Sequence, residues 1–89
     1  ILFMDINELI AIVKKKLENQ INITNIKIED KSFLHKNHPG NQQGKYHLKV
    51  LLQSDELKKM SKIESNKKVY KILSEEIKSY IHSLQILIT

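Results

Sequence analysis

The chain has 89 residues, of which 40% are apolar, and a formal net charge of +5 in which every basic residue is a lysine. This composition predicts one globular domain over residues 1–89. The absence of cysteine excludes a disulfide framework, a cysteine nucleophile and thiolate metal ligation by this chain alone. No apolar run approaches the roughly 20 residues that a membrane-spanning helix needs. Since no targeting segment is evident, we expect a cytoplasmic location, with a mitochondrial one as the alternative.

The N-terminal segment predicts a helix followed by a strand. Asp5 and Glu8 have the spacing of a helix capping box, and apolar residues then recur every three or four positions until about Asn19. In "ITNIKIED", which follows, Ile26 and Ile28 alternate with charged residues. This alternation is typical of a half-buried strand.

The segment "YHLKVLL" predicts a second strand. One face would carry Tyr46, Leu48, Val50 and Leu52, and the other face would carry His47, Lys49 and Leu51. Because a loop is all that separates the two strands, we expect them to pair antiparallel.

A connector and a longer helix come next. In the connector "QSDELKKMSKIESNKK" we expect a short helical turn that packs three apolar residues onto the core, namely Leu57, Met60 and Ile63. In the longer helix, apolar residues step at helical intervals from Val69 to Tyr80, and we expect Glu75 and Glu76 to face outward.

The end of the chain predicts a third strand. Leu84, Ile86 and Ile88 alternate with other residues in "LQILIT", so the longer helix must end before Leu84. We therefore expect His82 in the turn between the last helix and the last strand.

The predicted element order is α-β-β-(short α)-α-β. A helix between the second and third strands is the crossover that brings parallel strands into one sheet. The sequence thus predicts a two-layer α+β domain, in which helices cover one face of a mixed three-stranded sheet.

The sequence lacks the motifs of common enzyme sites. It has no nucleophile elbow, no glycine-rich phosphate loop and no H-E-x-x-H pair. Glu75 and Glu76 are more typical of a solvated pair than of an acid/base dyad. We therefore expect a protein that is not an enzyme.

Because the chain has no cysteine, any metal it holds must use histidine, carboxylate or a partner's thiol, and imidazole binds zinc, iron and copper near neutral pH. His35 and His38 lie three residues apart in the loop "HKNHPGNQQG", His47 is a weaker candidate, and His82 is remote in sequence. Loop histidines are commonly solvated, and His82 alone is more typical of a structural residue. The loop and the turn before the third strand would lie at one end of the sheet, which would make a joint site.

From Asp30 onward the sequence resembles the BolA family. The matching segments are "DKSFLHKNHPG", "YHLKVLLQSDEL" and "VYKILSEEIKSYIHSL", which correspond to that family's D-x-S-x-x-H…G loop, its T-H-F-x-V…S strand and its V-Y…L-x-E-E…I-H-A-L ending. The resemblance implies a fold similar to the type II KH domain. It covers about two-thirds of the chain, and the predicted element order agrees with it.

The resemblance also implies a partner and a cofactor. BolA-like proteins pair with monothiol glutaredoxins in iron–sulfur cluster trafficking and iron regulation, and are expected to be monomers when alone. In such pairs a [2Fe–2S] cluster is shared between the glutaredoxin, glutathione and two residues of the BolA-like chain. By position, these residues are His82 and either His35 or His38, with His47 a possible additional ligand. A metal-free or zinc-binding adaptor is the plainer alternative.

Some BolA proteins are instead DNA-binding transcription regulators. The sequence departs from their F-x-G…R-H-R segment, which aligns with Leu57, Lys59 and Ser65-Asn66-Lys67. Lys59 thus replaces the glycine, and neither arginine is present. Six lysines remain available as nonspecific phosphate contacts, namely Lys58, Lys59, Lys62, Lys67, Lys68 and Lys71. We keep nucleic-acid binding as the alternative function.

Overall fold

The computed structural model describes residues 4–32 and 45–89. In chain order the elements are α1 (Ile6–Gln20), β1 (Asn25–Asp30), β2 (Tyr46–Gln53), α2 (Asp55–Lys58), α3 (Lys62–Ile72), α4 (Ser74–Ser79) and β3 (Ile81–Ile88). The predicted α+β order is confirmed, except that the longer helix is divided at Leu73. The division is slight, since the Leu73 N–H donates to the Val69 carbonyl and the Leu73 carbonyl accepts from the Ile77 N–H.

Local signals explain how α1 begins. The Asp5 carboxylate accepts hydrogen bonds from the backbone N–H groups of Asn7, at 3.0 Å, and Glu8, at 3.3 Å. These are two of the donors that the first turn of a helix leaves without a partner inside the helix. One face of α1 then buries Leu9, Val13 and Leu17.

The three strands form a mixed sheet in the order β1-β2-β3. β1 pairs with β2 antiparallel, and β2 pairs with β3 parallel, as predicted. The core lies between α1, α3 and the inner face of this sheet, and its fully buried members include Val13, Val50, Leu52 and Val69. Burial of each such side chain contributes about 1.5–3 kcal/mol. The likeness to the type II KH fold stays a prediction.

Two side chains lie on faces other than those predicted. Ile63 is 69% exposed rather than packed on the core. Helix α3 buries Ser65 and Val69, and a residue two positions before Ser65 lies about 200° around the helix from it, on the solvent side. Glu76 was expected to face outward but is buried, because its spacing from Val69 places it on the core face.

One end of the sheet collects segments that are far apart in sequence. β1 ends there, while β2 and β3 begin there, as the pairs Asp30–Leu48 and Tyr46–Ile81 show. The Lys31 N–H donates to the His47 carbonyl at 2.7 Å. We call this region the histidine end, defined by Lys31, Ser32, His47, His82 and Ser83.

Candidate functional site

A bulge in β3 places His82 at the histidine end. Tyr46 pairs with Ile81, but His47 pairs with Ser83, so β3 contains one more residue than β2 over this step. The extra residue is His82. The prediction of a turn at His82 is therefore wrong, since the residue lies inside β3. A bulge interrupts the regular alternation of a strand and re-aims the side chains beside it.

The bulge brings two imidazoles together. The ring centroids of His47 and His82 are 4.9 Å apart, and the ring planes are tilted by 50°. His82 is exposed, whereas His47 is only 4% exposed although it lies on the sheet face opposite the core. His47 is thus the nearest histidine to His82 among the residues that the structure describes.

Hydrogen bonds from two neighbouring segments fix His47. Its Nδ1 lies 2.6 Å from the Ser83 hydroxyl oxygen, and its backbone N–H donates to the Ser32 hydroxyl at 3.0 Å. Ser32 is held in turn, because its own N–H donates to the Asp30 carboxylate at 2.9 Å. The sequence does not reveal these two contacts. Ser32 is the serine of the "DKSFLH" segment, and Ser83 lies in "IHSL", where the family's ending has alanine, but the contact of each with His47 depends on the register of the sheet.

His35 and His38 lie outside the described residues. The described residues on either side of their loop are Ser32, two residues after the end of β1, and Lys45, immediately before the start of β2, and these two strand ends meet at the histidine end. The expectation that this loop and the region before the third strand share one end of the sheet is confirmed for those flanks. Whether either loop imidazole meets His82 stays a prediction.

The described residues do not by themselves complete a metal site. Within 4–32 and 45–89 no group of three or more histidine, cysteine, aspartate or glutamate residues is placed to hold a metal ion. An iron–sulfur cluster requires four protein or thiol ligands, of which imidazole can replace some. The exposed His82 therefore fits the role of one ligand in a site that other ligands complete.

The six lysines form a separate feature, which extends from the end of α2 along α3. Five of the six predicted phosphate-contacting lysines are exposed, whereas the sixth, Lys68, is half-buried and lies 2.6 Å from a Glu56 carboxylate oxygen. This hydrogen bond, together with one from the backbone N–H of Asn22, lowers the pKa of Glu56. The solvent-facing side of α3 is a shallow surface formed by Lys62, Ile63, Asn66, Lys67, Tyr70 and Lys71.

Comparison with known proteins identifies relatives for most of the chain. The BolA-like protein family model matches residues 17–89. The DNA-binding transcriptional regulator BolA of Haemophilus influenzae is 27% identical over 73 residues, which are 82% of this chain and 68% of that protein. SufE-like protein 1, chloroplastic/mitochondrial, of Arabidopsis thaliana is 27% identical over 79 residues, which are 83% of this chain but only 21% of that protein.

A solved structure supports the same relationship. The BolA domain of SufE1 from Arabidopsis thaliana superimposes with a TM-score of 0.75 at 25% identity, covering 89% of this chain and 87% of that one. None of the described helices has the length and apolar character needed to cross a membrane.

Proposed function

This chain belongs to the BolA-like protein family, and we propose that it is a non-enzymatic adaptor that pairs with a monothiol glutaredoxin and co-ligates a [2Fe–2S] cluster. The carrying observation is the exposed His82 imidazole, which the bulge displays at the end of the sheet where the loop with His35 and His38 begins and ends. Its role would be iron–sulfur cluster trafficking or iron regulation.

The residue types of the chain determine which cluster ligands it would supply and which would come from its partners. It has no cysteine, so the thiolates would come from the glutaredoxin and from glutathione. His82 and one of His35 and His38 would supply imidazole nitrogens. An imidazole is neutral where a thiolate is negative, so this exchange raises the reduction potential of a cluster.

Visible circular dichroism of a cluster-loaded monothiol glutaredoxin mixed with this chain tests the proposal. We expect the cluster bands to change on mixing, and the change to be lost with His82→Ala. Loss with one of His35→Ala and His38→Ala, but not the other, would identify the loop ligand. Gln85→Ala is the matched control, because Gln85 is an exposed residue of the same strand. A spectrum that stays unchanged on mixing, or that changes equally with His82→Ala, contradicts cluster sharing.

A second candidate function is binding of nucleic acid through α3. The observation that favours it is the exposed side of α3, which carries Lys62, Lys67 and Lys71 together with the partly exposed Tyr70. Lysines attract phosphates and an aromatic ring can stack on a base, and one relative is named a DNA-binding regulator. The lack of arginine disfavours base-specific reading, since arginine makes the commonest contact to guanine.

Titration with single-stranded and duplex DNA over a salt series separates the two functions. We expect Lys67→Glu and Lys71→Glu to weaken any binding across all sequences and to reduce the salt slope by about 1 for each lysine. Lys78→Glu, an exposed lysine on α4, is the control of equal charge change. Binding that is lost with Lys78→Glu as readily as with Lys67→Glu would show only nonspecific attraction to a basic protein.

A further inference from the structure

His47 is a buried imidazole on the sheet face that lies away from the core. The alternation of β2 places it beside Lys49 and Leu51 on this face, and both of those are partly exposed. His47 is only 4% exposed. A polar ring buried at such a position needs hydrogen bonds to offset its desolvation, and one of them comes from Ser83.

The contact with Ser83 fixes the orientation of the His47 ring. Rotation about the bond that joins a histidine ring to its side chain has broad, roughly two-fold preferences. At 2.6 Å, the hydrogen bond between Nδ1 and the Ser83 hydroxyl oxygen selects one of the two ring orientations. The backbone of His47 is held by hydrogen bonds to Ser32 and Lys31, so the position from which the ring extends is also fixed.

The fixed ring limits what the His82 ring can do. His82 is the extra residue of the bulge and its side chain is exposed. An exposed side chain without a neighbour samples several staggered rotamers. The centroid of the His47 ring is 4.9 Å from that of the His82 ring, and the two ring planes are tilted by 50°. The His47 ring therefore restricts the rotamers of His82 and favours the one that packs against it.

We propose that His47 is the positioning residue for His82, and that Ser83 holds the His47 ring in the orientation this requires. The inference rests on the proposed role of His82 as a cluster ligand. The hydrogen bond to Ser83 involves only Nδ1 of His47 and is the kind of contact that also orients a ligating imidazole, so an additional ligand role for His47 stays a prediction. Residues that hydrogen-bond to a metal ligand typically change metal affinity by about 10–100-fold when they are altered. Since Ser83 acts on His82 only through the His47 ring, we expect the lower end of this range.

Ser83 offers a clean substitution, because its side chain is exposed and its removal leaves the core untouched. Ser83→Ala removes the hydroxyl that orients His47, and Ser83→Thr keeps a hydroxyl on a residue that suits a strand. Gln85→Ala changes the next residue on the same face of β3 and is the control.

The first measurement uses the chain alone. Three-bond NMR couplings report the rotamer of His82, and the nuclear Overhauser effect between the two rings reports their contact. We expect one dominant rotamer in the unaltered chain, in Ser83→Thr and in Gln85→Ala. In Ser83→Ala we expect averaged couplings and a weaker ring-to-ring effect. Averaged couplings already in the unaltered chain, or no difference in Ser83→Ala, would overturn the inference.

The second measurement uses the complex with a cluster-loaded monothiol glutaredoxin. We expect Ser83→Ala to lose the cluster to a chelator about 10-fold faster than the unaltered complex, with altered visible circular dichroism, and Ser83→Thr to restore both. Equal retention in Ser83→Ala would refute a role in ligation even if the His82 rotamer changes.

The two measurements also separate this inference from the proposed function. If the unaltered chain leaves the glutaredoxin spectrum unchanged, the ligand role of His82 falls, and the role of His47 in ligation falls with it. The couplings of the isolated chain then still decide whether His47 orients His82.

Discussion

Removal of the Lys16 ammonium should destabilise the fold more than neutralisation of its partner, Glu76. The Lys16 Nζ lies 2.7 Å from one carboxylate oxygen of Glu76, whose side chain is only 8% exposed. The other oxygen of Glu76 is buried and has no hydrogen-bond partner among the residues that the structure describes. This hydrogen bond is the main reason that the pKa of Lys16 is raised above 10.5, so the contribution of the pair is present at neutral pH and is lost as the pH rises through the alkaline range.

The two substitutions leave different groups unpaired. Lys16→Met leaves the buried Glu76 carboxylate without its ionic partner. In a fully buried pair such a change lowers the free energy of unfolding by about 3–5 kcal/mol. Because 35% of the Lys16 side chain is exposed, water can replace part of the lost interaction, and we expect about 2 kcal/mol. Glu76→Gln leaves a neutral amide and a lysine that can reach water, so we expect less than about 1 kcal/mol.

Urea unfolding followed by far-ultraviolet circular dichroism measures both costs. A loss of about 2 kcal/mol should also lower Tm by roughly 8–16 °C in a domain of this size. Lys15→Met, an exposed neighbour on α1, is the control and should change the free energy of unfolding by less than about 0.5 kcal/mol. If Glu76→Gln costs as much as Lys16→Met, the asymmetry argued from burial is refuted.

Three further predictions concern stability. Ser54→Ala should cost about 1–2 kcal/mol in urea unfolding, because the buried Ser54 hydroxyl accepts from the Leu57 N–H at the start of α2; an unchanged midpoint would contradict this. Leu57→Ala should cost about 3 kcal/mol and Ile63→Ala less than about 0.5 kcal/mol, since Leu57 is 1% exposed and Ile63 is 69% exposed; equal costs would place Ile63 in the core after all. The lowered pKa of Glu56 means that its contact with Lys68 stabilises above the ordinary value of 4.5 and is lost as the pH falls below it. Unfolding midpoints of Lys68→Met should therefore depend less steeply on acid pH than those of the unaltered chain.

Periodicity predicted the fold because most elements bury one clear face. The α1 stripe, the alternation of β2 and the order of strands and helices were confirmed for this reason. The same reasoning was wrong at Ile63 and Glu76, where chemical type and helical position disagree. The apolar character of Ile63 predicts a core position, but its spacing from Ser65 places it on the solvent side of the helix. The charge of Glu76 predicts exposure to water, but its spacing from Val69 places it on the core side. At such positions the place of a residue on the helix, rather than its polarity, decides whether its side chain is buried.

The candidate site was less accessible to prediction than the fold. The alternation that indicates β3 begins at Leu84, because the bulge at His82 breaks the two-residue period just before it. The sequence therefore predicted a turn where the strand already runs. That Ser83 lies opposite His47, and that His82 lies against its ring, follows from the register between two strands separated by three helices, and no local pattern carries that register.

The parallel direction of β3 is what unites the site. β2 has eight residues, so its two ends are roughly 20 Å apart. An antiparallel β3 would begin at the far end of β2 and would place His82 that distance from His47 and from both flanks of the histidine loop. The crossover through α2, α3 and α4 returns the chain to the start of β2 instead, where Tyr46 donates its N–H to the Tyr80 carbonyl at 2.9 Å. Since β2 is the central strand, His47 has hydrogen-bond partners on both sides of it. Ser32, just after β1, accepts from the His47 backbone N–H, and Ser83, in β3, contacts the His47 ring. The same helices that carry the lysines thus also bring His82 to the end of the sheet where the proposed cluster would be shared.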